Sequence, residues 1–184
     1  MNFYIWKSDV LNSMEYAGIN KKESSWNIIS TVILSLNEKE SFKIDYAINL
    51  NGNWELKEAV INSNNLGIKK TINVKIDENK NWIIDGKKRL FLNTCTDIDL
   101  GFTPLTNTIP IRRLDLQINE SAEIIATWIQ FPSFEIKPLE QLYTRIDENS
   151  YLYESGTNFK AKLLVDEKKI VIDYPKYWKL IAKS

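Results

Sequence analysis

Ser41-Phe42-Lys43-Ile44-Asp45-Tyr46-Ala47-Ile48-Asn49-Leu50-Asn51-Gly52-Asn53-Trp54 decides the fold class. Large apolar side chains fall at Phe42, Ile44, Tyr46, Ile48 and Leu50, with Lys43, Asp45, Ala47 and Asn49 between them. A spacing of two puts one set on the core face of a strand and the other toward water. The run stops at Asn51-Gly52-Asn53, a hairpin signal, and Trp54 opens the next run. The same alternation recurs outward in both directions. It appears at Ile72, Val74 and Ile76, at Phe159, Ala161, Leu163 and Val165, and at Ile170, Ile172 and Tyr174. Residues 25–36 carry Trp26, Ile28, Ile29, Val32, Ile33 and Leu34. Their β-branched content favours a strand, with a helix as the alternative. Polar turns at 77–81, Asp85-Gly86, 147–150 and 166–169 punctuate the runs. The expected fold is therefore mostly β, a single domain over residues 1–184 made of an antiparallel meander. So long a sheet with so little helix must curl on itself or cover a face, as a bent sheet or incomplete barrel does. Two short helices are expected. One starts at Thr103-Pro104 and is cut short by Pro110, and the other spans residues 176–182 after Pro175.

Composition narrows the function. Lys+Arg and Asp+Glu balance at 24 each, so no net field gathers nucleic acid. The basic runs Lys69-Lys70, Lys87-Lys88-Arg89 and Lys168-Lys169 sit near turns, the latter two beside acids such as Asp85, Asp166 and Glu167. The chain has no histidine. Ser-His-Asp and Cys-His nucleophile systems and the common Cys/His zinc sites are therefore out of reach of one chain. One cysteine, Cys95, rules out an internal disulfide framework and fits a reducing compartment. No apolar run approaches the roughly 20 residues of a membrane helix. The segment Met1-Asn2-Phe3-Tyr4-Ile5-Trp6-Lys7 lacks the features of a signal peptide. The expected location is the cytoplasm, and the expected protein is not an integral membrane protein.

One segment does not read as an ordinary loop: Thr94-Cys95-Thr96-Asp97-Ile98-Asp99-Leu100-Gly101-Phe102-Thr103-Pro104-Leu105-Thr106-Asn107-Thr108-Ile109-Pro110-Ile111-Arg112-Arg113-Leu114. It resembles the signature of the Putative glycolipid-binding family, whose bacterial members carry a similar Asp-x-Asp, Thr-Pro-x-Thr-Asn-Thr and Pro-Ile-Arg-Arg-Leu string. Phe131-Pro132, Gln141-Leu142-Tyr143-Thr144-Arg145, Tyr151-x-Tyr153 and Val171-Ile172-Asp173-Tyr174-Pro175 resemble its later landmarks, and Asn81-Trp82 with Asp85-Gly86 its earlier part. The resemblance spans roughly residues 40–180 of the chain. It implies a spiral β-roll, an incomplete antiparallel barrel similar in shape to bacterial lipoprotein carriers that hold acyl chains against a concave sheet. It also implies a glycolipid or other acyl-chain ligand; no cofactor is expected.

Several constellations carry possible chemistry. Asp97 and Asp99 share one face of a strand. The expectation adopted is a structural ion-pair network of Asp97, Asp99, Arg112 and Arg113, since two guanidiniums relieve the repulsion of two carboxylates. A carboxylate pair for acid/base work or a hard-metal site is the alternative. Thr103, Thr106, Asn107 and Thr108 read either as turn and cap residues or as contacts to a polar head. Cys95 reads as a small buried residue, with neighbouring acids disfavouring its thiolate. Gln141, Tyr143 and Arg145 alternate on one face, either holding an anionic head or forming a surface row with Arg145 paired to Asp147 or Glu148. Trp128, Phe131, Phe134, Tyr143, Tyr151, Tyr153 and Tyr174 are core rings, some of which can line an apolar cleft. The candidate ligand-binding residues are Asn107, Arg112, Arg113, Trp128, Gln141, Tyr143, Arg145 and Tyr153. No catalytic residue and no metal ligand is expected, and a binding role is expected over an enzymatic one. The rival is a hydrolase or isomerase of lipid or sugar that works through carboxylates, with a structural or partner-binding protein as a third reading.

Overall fold

A computed structural model describes every residue from Met1 to Ser184. Strands hold 61 % of the chain, so the expected mostly β class is the observed one. In chain order they are β1 (Asn2–Ser8), β2 (Ser13–Lys22), β3 (Ser25–Asn37), β4 (Glu40–Asn51), β5 (Leu56–Asn65), β6 (Ile68–Ile76), β7 (Trp82–Ile84) and β8 (Lys87–Lys88). Then come β9 (Asp97–Leu100), a helix α1 (Thr108–Leu114), β10 (Ser121–Ile129), β11 (Ile136–Arg145) and β12 (Ser150–Ser155). The chain ends with β13 (Phe159–Val165), β14 (Val171–Tyr174) and β15 (Trp178–Lys183). Residues divide into two compact units, 1–93 with 179–184, and 94–178.

In the first unit the strand order is β8-β7-β6-β5-β4-β3-β2-β1-β15, antiparallel throughout. The period-two pattern of β4 does what it predicts. Phe42, Ile44, Tyr46, Ile48 and Leu50 are all buried. Cross-strand register extends that face into rows. Ile28, Ile48, Ala59, Val74 and Ile84 stand opposite one another across five strands, and each is at most 2 % exposed. Burying an Ile or Val side chain stabilises the fold by roughly 1.5–3 kcal/mol, so these rows hold the sheet in register. One carboxylate, Glu15, lies fully inside this unit and accepts hydrogen bonds from Ser30 Oγ (2.7 Å) and the Tyr46 hydroxyl (2.5 Å). The two glycine turns act differently. Asp85 and Gly86 both take positive φ (49° and 76°), as a tight hairpin with right-handed twist needs. At Gly52 the reason is space: a Cβ there would stand 3.0 Å from the Ser24 carbonyl oxygen, and the positive φ of that turn falls on Trp54.

In the second unit the order is β14-β13-β12-β11-β10-β9, antiparallel except for the parallel pair β9–β10. Neither unit's end strands pair with each other, so neither sheet closes into a barrel. The core of this unit joins Ile111 and Leu116 to Ile124, Tyr143, Tyr151, Tyr153, Leu163, Val165 and Val171. Thr108 Oγ1 accepts the Val171 backbone N–H at 3.2 Å and ties the start of α1 to β14.

Both helix expectations need correction. Pro110 does not end a helix. It occupies the third position of α1, where backbone N–H groups lack an intrahelical partner and proline removes nothing. A 3-10 turn at Leu105–Asn107 leads directly into α1, which ends at Asp115 in the left-handed region. Residues 176–182 are not helical. β15 lies there, paired with β1 through Trp6↔Leu180 and Tyr4↔Lys183. An available ladder partner outweighs weak helix propensity in so short a segment.

Candidate functional site

The site grows from β9. Alternation along this strand turns Ile98 and Leu100 one way and the carboxylates of Asp97 and Asp99 the other. The parallel ladder sets Asp97 beside Ala126 and Asp99 beside Trp128. The chain then folds back through Thr103, whose Oγ1 accepts the Leu105 N–H at 3.0 Å, into the 3-10 turn and α1. This return brings Thr106 and Asn107 to the carboxylate face.

A connected polar circuit, open at its two ends, forms there. Thr106 Oγ1 accepts the Leu100 N–H (3.2 Å) and donates to Asp99 Oδ1 (3.3 Å). Gln141 Nε2 donates to Asp99 Oδ2 at 2.7 Å. The Tyr143 hydroxyl lies 2.9 Å from Asn107 Oδ1 and 3.2 Å from Gln141 Oε1, sharing its proton between the two acceptors. Thr106, Asn107, Gln141 and Tyr143 are buried, and Asp99 is half-buried at their centre. Burial pushes the Asp99 carboxyl up to about 6, and the hydrogen bonds from Gln141 and Thr106 only partly offset it. Burial likewise drives the phenols of Tyr143, Tyr153 and Tyr174 upward, with the Asp99 charge adding to the effect, so all three remain protonated donors.

An aromatic wall continues from this circuit. Ring centroids lie 5.2 Å apart for Tyr143–Tyr153, 6.2 Å for Tyr153–Phe159 and 6.3 Å for Tyr153–Tyr174. Tyr177 packs against Phe159 (5.5 Å) and Tyr174 (5.7 Å). Tyr143 and Tyr153 are buried, whereas Phe159, Tyr174 and Tyr177 keep partial exposure. The wall thus runs from a buried polar end to an accessible apolar end.

Residues 3–179 match the family described as Putative glycolipid-binding. The chain belongs to that family. Among solved structures it is similar to a DUF1089 family protein from Pseudomonas aeruginosa, with 33 % identity and a TM-score of 0.80 over 90 % of this chain and 91 % of that one. A beta-barrel-like protein of domain of unknown function DUF1849 from Brucella abortus has 7 % identity and a TM-score of 0.49, over 100 % of this chain and 96 % of that one. A search of the curated proteins found no match. No helix is long and apolar enough to cross a membrane.

Residues 94–114 supply Asp99, Thr106 and Asn107 to the polar circuit, but the expected four-member ion-pair network is not there. Asp97 alone takes an arginine. Arg113 Nε and Nη2 grip its two oxygens at 2.9 and 2.6 Å, and Thr96 Oγ1 adds a third bond at 2.7 Å. Asp99 is held by neutral donors instead, and Arg112 turns to the Lys168 carbonyl. Successive helix residues point about 100° apart, so Arg112 and Arg113 cannot both face β9. Arg145 does not pair with the carboxylates of Asp147 and Glu148. Its Nε, Nη1 and Nη2 donate to the backbone carbonyls of Asp147, Leu116 and Glu148. Of the other candidates, Asn107, Gln141 and Tyr143 meet in the circuit and Tyr153 adjoins it. Trp128 lies opposite Asp99 in the ladder, with the Lys137 ammonium 5.3 Å from its ring centroid. Burial raises the Cys95 thiol, and the neighbouring Asp97 charge reinforces it, so it stays a protonated core group. Sequence reasoning missed Phe159 and Tyr177 as parts of the wall. Phe159 read only as a strand position, and nothing in the pattern around Pro175 marked Tyr177.

Proposed function

We propose that this chain binds an amphipathic ligand. Its uncharged, hydroxyl-bearing head would lie on the Asp99 circuit and its apolar part along Phe159, Tyr174 and Tyr177. One observation carries this reading: Asp99 is a half-buried carboxylate satisfied by neutral donors, at the foot of a partly exposed aromatic wall. A carboxylate and an amide accept and donate to sugar hydroxyls, and aromatic faces take up the apolar side of a ring or chain. A phosphate or sulfate head suits the site poorly. Asp97 neutralises the charge of Arg113, Arg145 is held on three backbone carbonyls, and Asp99 would repel an anion. The family description supports a glycolipid as the ligand class. The role is binding rather than catalysis, and a single buried free cysteine fits a cytoplasmic setting.

The second reading is an enzyme using Asp99 as general base or acid, favoured by a carboxyl displaced to about 6. A two-carboxylate glycosidase mechanism loses its second member, because Asp97 is engaged by Arg113. A single-carboxylate isomerase would remain. Calorimetry with alkyl glycosides of increasing chain length, and with alkyl sulfates of matching length, tests the proposal. Glycoside affinity should rise by about 0.8 kcal/mol per buried methylene, roughly fourfold, and sulfates should bind more weakly. Flat affinity across the series, or tighter sulfate binding, refutes it. Chemical conversion of a glycoside that stops with Asp99→Asn would establish the enzyme reading instead.

A further inference from the structure

We infer that the solvent-facing side of the β10–β11–β12 sheet carries a second site, for an uncharged, hydroxyl-rich carbohydrate. Its floor is opposite the face that bears the Tyr143 and Tyr153 side chains, while Arg113 and Gln141, which belong to that face, also line the cavity. A groove of about 640 Å³ runs across this side of the sheet, within the size range of small-ligand sites. Its floor follows from register. Glu123, Leu142 and Glu154 form one cross-strand row, and Ile125 with Glu140 the next, beside Gly156. Carboxylates and aliphatic side chains therefore alternate in both directions over β10 and β11, and Glu154 extends the first row onto β12. That checkerboard matches a molecule whose hydroxyls and C–H patches alternate at similar spacing.

The charges argue against an anionic ligand. Arg113 lines the groove, and Asp97 fixes its guanidinium plane by taking Nε and Nη2, which leaves Nη1 as an oriented donor. Glu154 is paired with Lys160, while Glu123 and Glu140 are exposed acceptors. An anion would face Glu123 and Glu140, and a cation would leave the Arg113 donor unused. A neutral polyol uses both kinds of group without a like-charge contact. Thr94 and Thr96 at the same groove add hydroxyls of either sense.

Gly156 supplies the test. A Cβ there meets Glu140 Cβ at 3.6 Å, ordinary contact, so Gly156→Phe should fold and fill the groove. Amide NMR spectra of the full chain would be followed during titration with maltotriose, cellotriose and, as a cationic control, chitosan trimer. At least one neutral trisaccharide should shift amides of residues 123–125, 140–142 and 154–156, while those of Asp99 and Tyr143 stay put. Gly156→Phe should weaken that binding tenfold or more with the fold intact. The inference is overturned if neither neutral sugar shifts these amides, if the shifts survive Gly156→Phe, or if the chitosan trimer binds more tightly, which would mark a merely acidic patch. Alkyl glycosides that shift only the Asp99 circuit would also overturn it while leaving the proposed function standing.

Discussion

Asp99→Asn should make the protein more stable at neutral pH, not less. The folded-state carboxyl titrates at about 6 against an ordinary value of 3.8. Below the ordinary value Asp99 is protonated in both the folded and unfolded chain, and the substitution is nearly silent. Between about pH 4 and 6 the unfolded chain has released this proton and the folded chain keeps it, so wild-type stability falls as pH rises. Above pH 6 the loss is complete. Two pKa units correspond to about 3 kcal/mol, and because Asp99 keeps some surface, about 2 kcal/mol is the fairer expectation. Asparagine preserves the acceptor for Gln141 Nε2 and carries no charge to desolvate. At pH 7.5 the variant should therefore melt about 4–8 °C higher, given roughly 2–4 °C per kcal/mol for a chain of this size. Urea denaturation of both proteins at pH 3.5, 5, 6 and 7.5 measures the whole curve. A variant destabilised at pH 7.5, as an arginine-paired aspartate would require, refutes the reasoning. So would two curves that stay parallel from acid to neutral pH.

Arg113→Ala should cost about 3 kcal/mol, the low end for a buried pair because the arginine is partly exposed, since Asp97 (1 % exposed) would keep only Thr96. Arg112→Ala should cost about 1 kcal/mol by the same urea assay, and equal losses at the two sites would show that both arginines serve the carboxylates. Gly86→Asn should retain most of the stability, because asparagine tolerates the positive φ there, whereas Gly52→Asn should lose about 1 kcal/mol or more against the Ser24 carbonyl. Thermal melts of the two variants check this, and a reversed order would mean that backbone conformation, not space, governs Gly52.

The strands were legible because their cause is local. Phe42, Ile44, Tyr46, Ile48 and Leu50 repeat at the period of a strand, and no helical arrangement buries that set on one face. Thr94 to Leu114 was legible as more than an ordinary loop, and it supplies three members of the circuit around Asp99. Which residues complete the circuit was only half legible. Gln141 and Tyr143 alternate on one face of β11 as expected, but their partners Asp99 and Asn107 lie more than 30 positions away. The groove on the outer face left no trace in one dimension. Glu123, Glu140 and Glu154 look like ordinary exposed positions until three strands are set in register.

By itself the sequence determined the class of the fold, the turn positions, the absence of histidine chemistry and the shared face of Asp97 and Asp99. Each depends on residue identity and near-neighbour spacing, which survive in any conformation of the surrounding chain. Tertiary structure alone decided how the two aspartates differ. They are two residues apart on one strand, and either could take either arginine on paper. The position of α1 aims Arg113 at Asp97 and Arg112 at the Lys168 carbonyl, so Asp99 is left to an amide and a hydroxyl. The same holds for residues 176–182, helical by short-range preference and a strand once β1 offered its edge. In both cases the outcome turned on a partner distant in sequence, whose hydrogen bonds and charge outweigh the small local preferences.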